Sequence, residues 1–282
     1  MNNLAFIKRD SLLTYYALTF TISWGGIFLV IGGPGGIPGT PDQFQRLLPF
    51  VVLAMLAGPS IAGLILTGLV EGRLGFRKLL SRLLQWQVGA YWYAFAVLTA
   101  PLVMMVIPLT LSSLLPELVP GIITKSDRSS LLLMGITAGL MAGIFEELGW
   151  TGFVIPRLRL RYGVFTTGLI VGSLWGAWHI LVNFWSSGSS SGVLSLDLLL
   201  HSVIFSMGIL PAYRVLMVWV YDHTGSLLMS MLMHLSLTAS NVILVPLVIT
   251  GFIGLTWSVV IAAMLWLIVM AVTVANSGRL SS

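Results

Sequence analysis

The chain has 282 residues, of which 57% are hydrophobic and 8% charged, with a formal net charge of +5 and no cysteine. A soluble domain carries about 25% charged residues to wet its surface, so most of this surface must meet lipid. The lack of cysteine excludes disulfides, thiolate nucleophiles and Cys-ligated zinc. The basic residues lie between apolar runs, where membrane topology accounts for them, and no nucleic-acid partner is expected.

A membrane span needs about 20 apolar residues, and charges mark where spans stop. Lys8 and Arg9 precede an apolar run over 11–32, too long for a leader peptide. It is read as a retained first span, closed by GGPGGIPGTPD. A second span is predicted over 47–70. Residues 71–88 alternate Leu and Trp with Arg and Lys at helical spacing, which predicts an interfacial amphipathic helix. A third span falls within 89–115, a fourth runs from near Ser130 towards Pro156, and a fifth covers 163–185 before SSGSSSG. The sixth is expected over about 195–219. The stretch 224–275 contains no Asp, Glu, Lys or Arg and divides near Thr250–Gly254 into a seventh and an eighth. No internal repeat or soluble domain is visible. The expectation is an all-α, polytopic integral membrane protein of about eight helices, forming one transmembrane domain over 1–282.

An even span number puts both termini on one side of the bilayer. That side collects Lys8, Arg9, Arg73, Arg77, Lys78, Arg82, Arg157, Arg159, Arg161, Arg214 and Arg279. The opposite side has Arg46, Lys125 and Arg128. The bias predicts an N-in, C-in orientation, with the cell membrane as the expected location. The Arg157, Arg159 and Arg161 cluster is read first as a topological anchor.

Nine carboxylates exist, and two neighbours lie inside the apolar segment AGIFEELGWTGF: Glu146 and Glu147. One charge at a helix centre costs about 2.5–3.5 kcal/mol on insertion scales, and adjacent like charges repel further. His179 and His234 also sit in long uncharged runs, whereas His201 and His223 fall towards span ends. If the fourth and fifth spans form a hairpin turning near Tyr162–Gly163, Glu146 and His179 stand at equal depth. His234 would reach the same region from the seventh span. A carboxylate pair and two imidazoles then converge on one buried cavity, expected to face the cytoplasm. Positions i and i+4 share a helix face, so Trp175 and Asn183 flank His179, while Thr238 and Asn241 extend the His234 side. Glu146 and Glu147 are about 100° apart around the axis. Glu146 is taken as the acting base and Glu147 as its partner.

These segments resemble the CPBP family, the CAAX-protease and bacteriocin-processing group also known as Abi or type II CAAX prenyl endopeptidase-like proteins. Its pattern is a Glu-Glu pair followed by aromatic-Arg-Gly, then an aromatic four residues before a His, then a His followed four residues later by Asn. The present chain reads EELGWTGF (146–153), WGAWH (175–179) and HLSLT (234–238). Thr151 stands at the family's Arg position, Thr238 at its Asn position, and Trp175 replaces Phe. The resemblance implies a catalytic core over 130–245, with Glu146, Glu147, His179 and His234 as the active set and Thr151, Trp175, Asn183, Thr238 and Asn241 in support. It implies an intramembrane endopeptidase acting on a peptide or protein substrate at the membrane, near its cytoplasmic face. Water would be activated either by Glu146 alone or by zinc held on Glu146, His179 and His234; no cofactor is demanded, and zinc stays open. A non-catalytic scaffold or bacteriocin-immunity relative of the same fold is the alternative, with a proton-coupled transporter behind it.

Overall fold

The computed structural model describes residues 7–113, 115, 118–246 and 251–275. Among the described residues, eight helices are long and apolar enough to cross a membrane: α1 (Ser11–Ile31), α2 (Pro41–Leu83), α3 (Ala90–Thr110), α4 (Arg128–Leu158), α5 (Val164–Ser186), α6 (Leu196–Thr224), α7 (Leu227–Leu244) and α8 (Ile253–Ala275). No strand is found among the described residues, so the protein is an all-α integral membrane protein. Its outer surface is apolar, with Leu29, Leu109 and Leu133 largely exposed, as expected where lipid rather than water is the solvent.

Local chemistry sets the helix ends. Gly32 closes α1 in the left-handed conformation (φ 81°), its N–H bonded to the Phe28 carbonyl. α2 opens with a capping box in which the Thr40 side chain accepts from Gln43 N–H and the Gln43 side chain accepts from Thr40 N–H; Pro41 occupies the first turn. The expected second span and interfacial helix form one rod, interrupted only at Gly72, whose backbone leaves helical geometry (φ 60°, ψ −143°). The basic helix that follows ends at Leu83, five residues short of the expected 71–88 segment. Arg279 and Thr250, used above for charge bias and for dividing the last two spans, lie outside the described residues.

Two wide π-type turns interrupt the long helices, at Trp150–Val154 in α4 and Phe205–Ile209 in α6. α5 loosens at His179, between the helical stretches Val164–Trp178 and Ile180–Ser186.

One end of the bundle is laced by cations. Arg157 pairs with Glu71, Lys78 reaches the same carboxylate at 2.9 Å, and Arg159 holds Asp222 at 2.7 Å. The arginine cluster therefore ties α4 to α2 and α6 as well as carrying charge at the membrane edge. At the other end, Gly39 N–H donates to the Trp185 carbonyl at 2.8 Å, joining the start of α2 to the end of α5.

Glycines permit close helix approach at the centre. A Cβ on Gly139 would lie 2.7 Å from the Leu235 carbonyl oxygen, and one on Gly143 2.6 Å from that of Met231. A Cβ on Gly63 would come within 2.8 Å of Gly149 Cα. Small residues let α4 pack against α7 and α2 nearly backbone to backbone, the usual route to tight association in lipid.

Candidate active site

The last turns of α4 before its wide turn carry Glu146 and Glu147, both buried. They do point differently. Glu146 faces a cavity of about 280 Å³, which it lines together with Trp175, His179 and His234. Glu147 turns away from the cavity into the packed interior.

Glu147 is held on every side. His234 Nδ1 lies 2.7 Å from its Oε1, Arg214 Nη1 donates to its Oε2 at 2.8 Å, and the Thr151 hydroxyl donates to the same oxygen. Thr151 is one helical turn beyond Glu147, at the place where the related family has Arg. Here the cation comes instead from α6. Arg214 is fully buried, and its guanidinium also lies 4.1 Å above the Trp175 ring, within range of a cation–π contact. Its Nε and Nη2 have no hydrogen-bond partner among the described residues.

Glu146 is less enclosed. Trp175 Nε1 donates to its Oε2 at 2.8 Å, and His234 Nε2 lies 3.9 Å from the same oxygen. Trp175 thus joins the two acids, taking Arg214 on its face and giving its N–H to Glu146. Its ring also meets His234 edge to face at 5.0 Å. His179 Nδ1 stands 2.8 Å from the Trp175 carbonyl oxygen. That oxygen can only accept, so Nδ1 carries the proton and Nε2 keeps its lone pair in the neutral ring.

The remaining sequence candidates separate. Thr238 and Asn241 line the cavity beyond His234. Asn183 does not: it is buried against α6, with Nδ2 donating to Ser206 Oγ at 2.8 Å and to the Ser202 carbonyl at 3.3 Å. Asn183 N–H keeps its i, i+4 bond to the His179 carbonyl at 2.9 Å, but its side chain is taken up by α6 rather than by the cavity. His201 contacts Ser258 Oγ at 2.8 Å, and His223 contacts the Trp219 carbonyl at 2.9 Å. Both lie outside the site.

Arg214 requires a correction. It was counted with the cations of one membrane face because it stands near the end of the expected sixth span, whereas α6 runs to Thr224 and Arg214 is fully buried in the bundle. A signal was available: two acids buried in a span call for a buried cation, and Arg214 interrupts the apolar run LPAYRVLMVWVY.

The zinc alternative needs Glu146, His179 and His234 to close on one point. Among the described residues no group of three or more His, Asp or Glu side chains is disposed to hold a metal ion. The side chains as arranged do not fit a three-ligand zinc site.

Comparison with known proteins bears on the same region. Residues 128–240 match the type II CAAX prenyl endopeptidase Rce1-like family. The chain is also 25% identical over 95 residues to CAAX prenyl protease 2 of Methanococcus maripaludis, a match covering 34% of this chain and 35% of that protein. The matched segment spans α4 to α7 and includes both acids, both cavity histidines and Arg214. By these matches the region from α4 to α7 is similar to the type II CAAX prenyl endopeptidases, and the match spans about a third of the relative's length.

Proposed function

We propose that the protein is an intramembrane endopeptidase in which Glu146 activates the attacking water. The observation that carries this reading is the division of labour between the two acids. Glu147 is saturated by Arg214, Thr151 and His234, while Glu146 keeps an oxygen towards the cavity. A carboxylate used as a general base must reach the proton that it removes, and only Glu146 is so placed.

In this mechanism a water is held between Glu146 and the free Nε2 of His179. Glu146 takes its proton as the water oxygen attacks the scissile carbonyl carbon. The resulting oxyanion accepts a hydrogen bond from His234 Nε2. Glu146 then returns the proton to the departing amine as the C–N bond breaks. Donation through Nε2 needs the imidazolium form of His234, because Nδ1–H is already committed to Glu147.

The departure at Thr151 does not leave Glu147 without a cation, since Arg214 supplies it from another helix. The substrate is a protein presented at the membrane, and the Arg-rich end of the bundle is cytoplasmic by its charge bias. The test is a comparison of peptide C-termini in membranes carrying the wild type or Glu146→Gln. A C-terminus that appears only with the wild type is expected, and its sequence names the substrate. Identical termini in both membranes would remove the peptidase assignment.

A further inference from the structure

We propose that the cleft between the start of α1 and the end of α4 binds the headgroup of one anionic phospholipid. Its phosphate is held by Lys8 and Arg161, and its acyl chains lie against the leucines at the rim. The site stands apart from the acids and imidazoles and does not depend on the cleavage chemistry.

Cations gather at this end of the bundle for topological reasons, but topology asks only that they lie on one face. It does not ask that the segment before the first span meet the segment after the fourth. Here the two do meet. A cavity of about 410 Å³ is walled on one side by Lys8, Arg9 and Asp10 and on the other by Arg157 and Arg161. Asp10 is taken by Arg9 at 2.8 Å, and Arg157 is turned to Glu71 of α2. The Lys8 and Arg161 side chains are exposed and make no hydrogen bond or ion pair among the described residues. Two long cations thus share a cleft with their charge unanswered, and like charges held together repel. An anion between them removes that repulsion, and a phosphate offers each a charged acceptor.

The apolar part of the rim identifies the anion as a lipid. Leu12, Leu13, Val70 and Leu160 line the same cleft as the cations. Leu13 is 65% exposed and Leu160 85%. Leu13 is in the first turn of α1, and Leu160 stands two residues past the end of α4. The cleft therefore sits where headgroups give way to hydrocarbon. A soluble phosphate uses only its cations. A phospholipid uses both parts, as expected of basic pockets between spans at a membrane edge.

The neighbouring packing gives the lipid a mechanical effect. Ser11 also lines the cleft, and one turn further along α1 the Tyr15 ring meets Trp150 edge to face and stacks on Phe153, each at 5.5 Å. A headgroup bridging Lys8 and Arg161 extends that contact between α1 and α4 to the membrane edge. Binding should therefore raise the thermal midpoint.

The purified full chain in a neutral detergent is titrated with phosphatidylglycerol, or with phosphatidylcholine of the same acyl chains. Native mass spectrometry counts the bound lipid while thermal unfolding is followed. The expected result is one tightly retained phosphatidylglycerol, a raised midpoint, and no comparable retention of phosphatidylcholine. Lys8→Gln with Arg161→Gln should weaken that retention about thirtyfold, or about fivefold for each charge lost beside the phosphate. Arg73→Gln with Arg77→Gln removes the same charge from exposed positions outside the cleft and should leave retention unchanged. Equal loss in both double variants would overturn the proposal, because only the general charge of this face would then be at work. So would equal retention of phosphatidylcholine by the wild type. Displacement of the lipid by glycerol phosphate or hexaglutamate at the same concentration would also overturn it, since the ligand would then be a soluble anion. All four replaced side chains are exposed, so the lipid-free midpoints should match the wild type; if they do not, the two-lipid comparison on the wild type decides.

Discussion

Arg214 and Glu147 form an ion pair 2.8 Å long in which neither side chain has any exposed surface. Such a pair is worth little against a well-packed apolar replacement, but removing one partner strands the other charge and costs about 3–5 kcal/mol. Arg214→Met is therefore expected to lower the unfolding midpoint of the detergent-solubilised protein sharply. Adding Glu147→Gln to Arg214→Met should recover a large part of the loss. Equal stability of the single and double variants would show that the pair is not coupled in this way.

Glu146→Gln is expected to separate chemistry from folding. The amide oxygen can still accept from Trp175 Nε1, the bond made at 2.8 Å by the carboxylate, so the thermal midpoint should stay close to that of the wild type. Loss of a general base removes about 10²–10⁴-fold in rate. Single-turnover cleavage of a substrate identified by its new C-terminus measures this. A variant that keeps wild-type turnover would transfer the base role away from Glu146.

Gly143 sets the spacing on which the histidine–acid contacts depend. A Cβ there would press on the Met231 carbonyl at 2.6 Å, one turn of α7 before His234. Gly143→Leu should push α4 and α7 apart, costing about 1–3 kcal/mol through overpacking and abolishing cleavage by withdrawing His234 from Glu147. Thermal unfolding and turnover, measured together, should both fall. Retained turnover would mean that α7 follows α4 without losing the contact.

Asn183 should behave as a structural residue. Its amide ties α5 to Ser206 and the Ser202 carbonyl in α6, so Asn183→Leu leaves a buried carbonyl and hydroxyl short of a partner. The expected cost is about 1–3 kcal/mol, with turnover per folded molecule preserved. A selective loss of turnover with unchanged stability would return Asn183 to the site.

Much of this was legible in the sequence because lipid makes polar residues conspicuous. Glu146, Glu147, His179 and His234 stand out in uncharged runs, and the four do meet around one cavity or its wall. Helix periodicity also separated the two acids correctly, since 100° of rotation cannot be spent on one face. Arg214 escaped because, close to the expected end of its span, it was counted with the charges of the membrane edge rather than with the interior acids. Asn183 was misplaced because a shared helix face fixes only its general heading, and its amide is taken by Ser206 and the Ser202 carbonyl of α6.

The wide turn at Trp150–Val154 uncouples the phase of α4 on its two sides. A single-residue deletion within a regular helix would rotate everything downstream by about 100°. A wide turn holds one residue more than regular winding needs, so the same deletion there restores ordinary helical winding and leaves Glu146 and Arg157 close to their headings. Length variation among relatives of this chain should therefore gather between Trp150 and Val154, leaving both the acids and the Arg157–Glu71 pair in register.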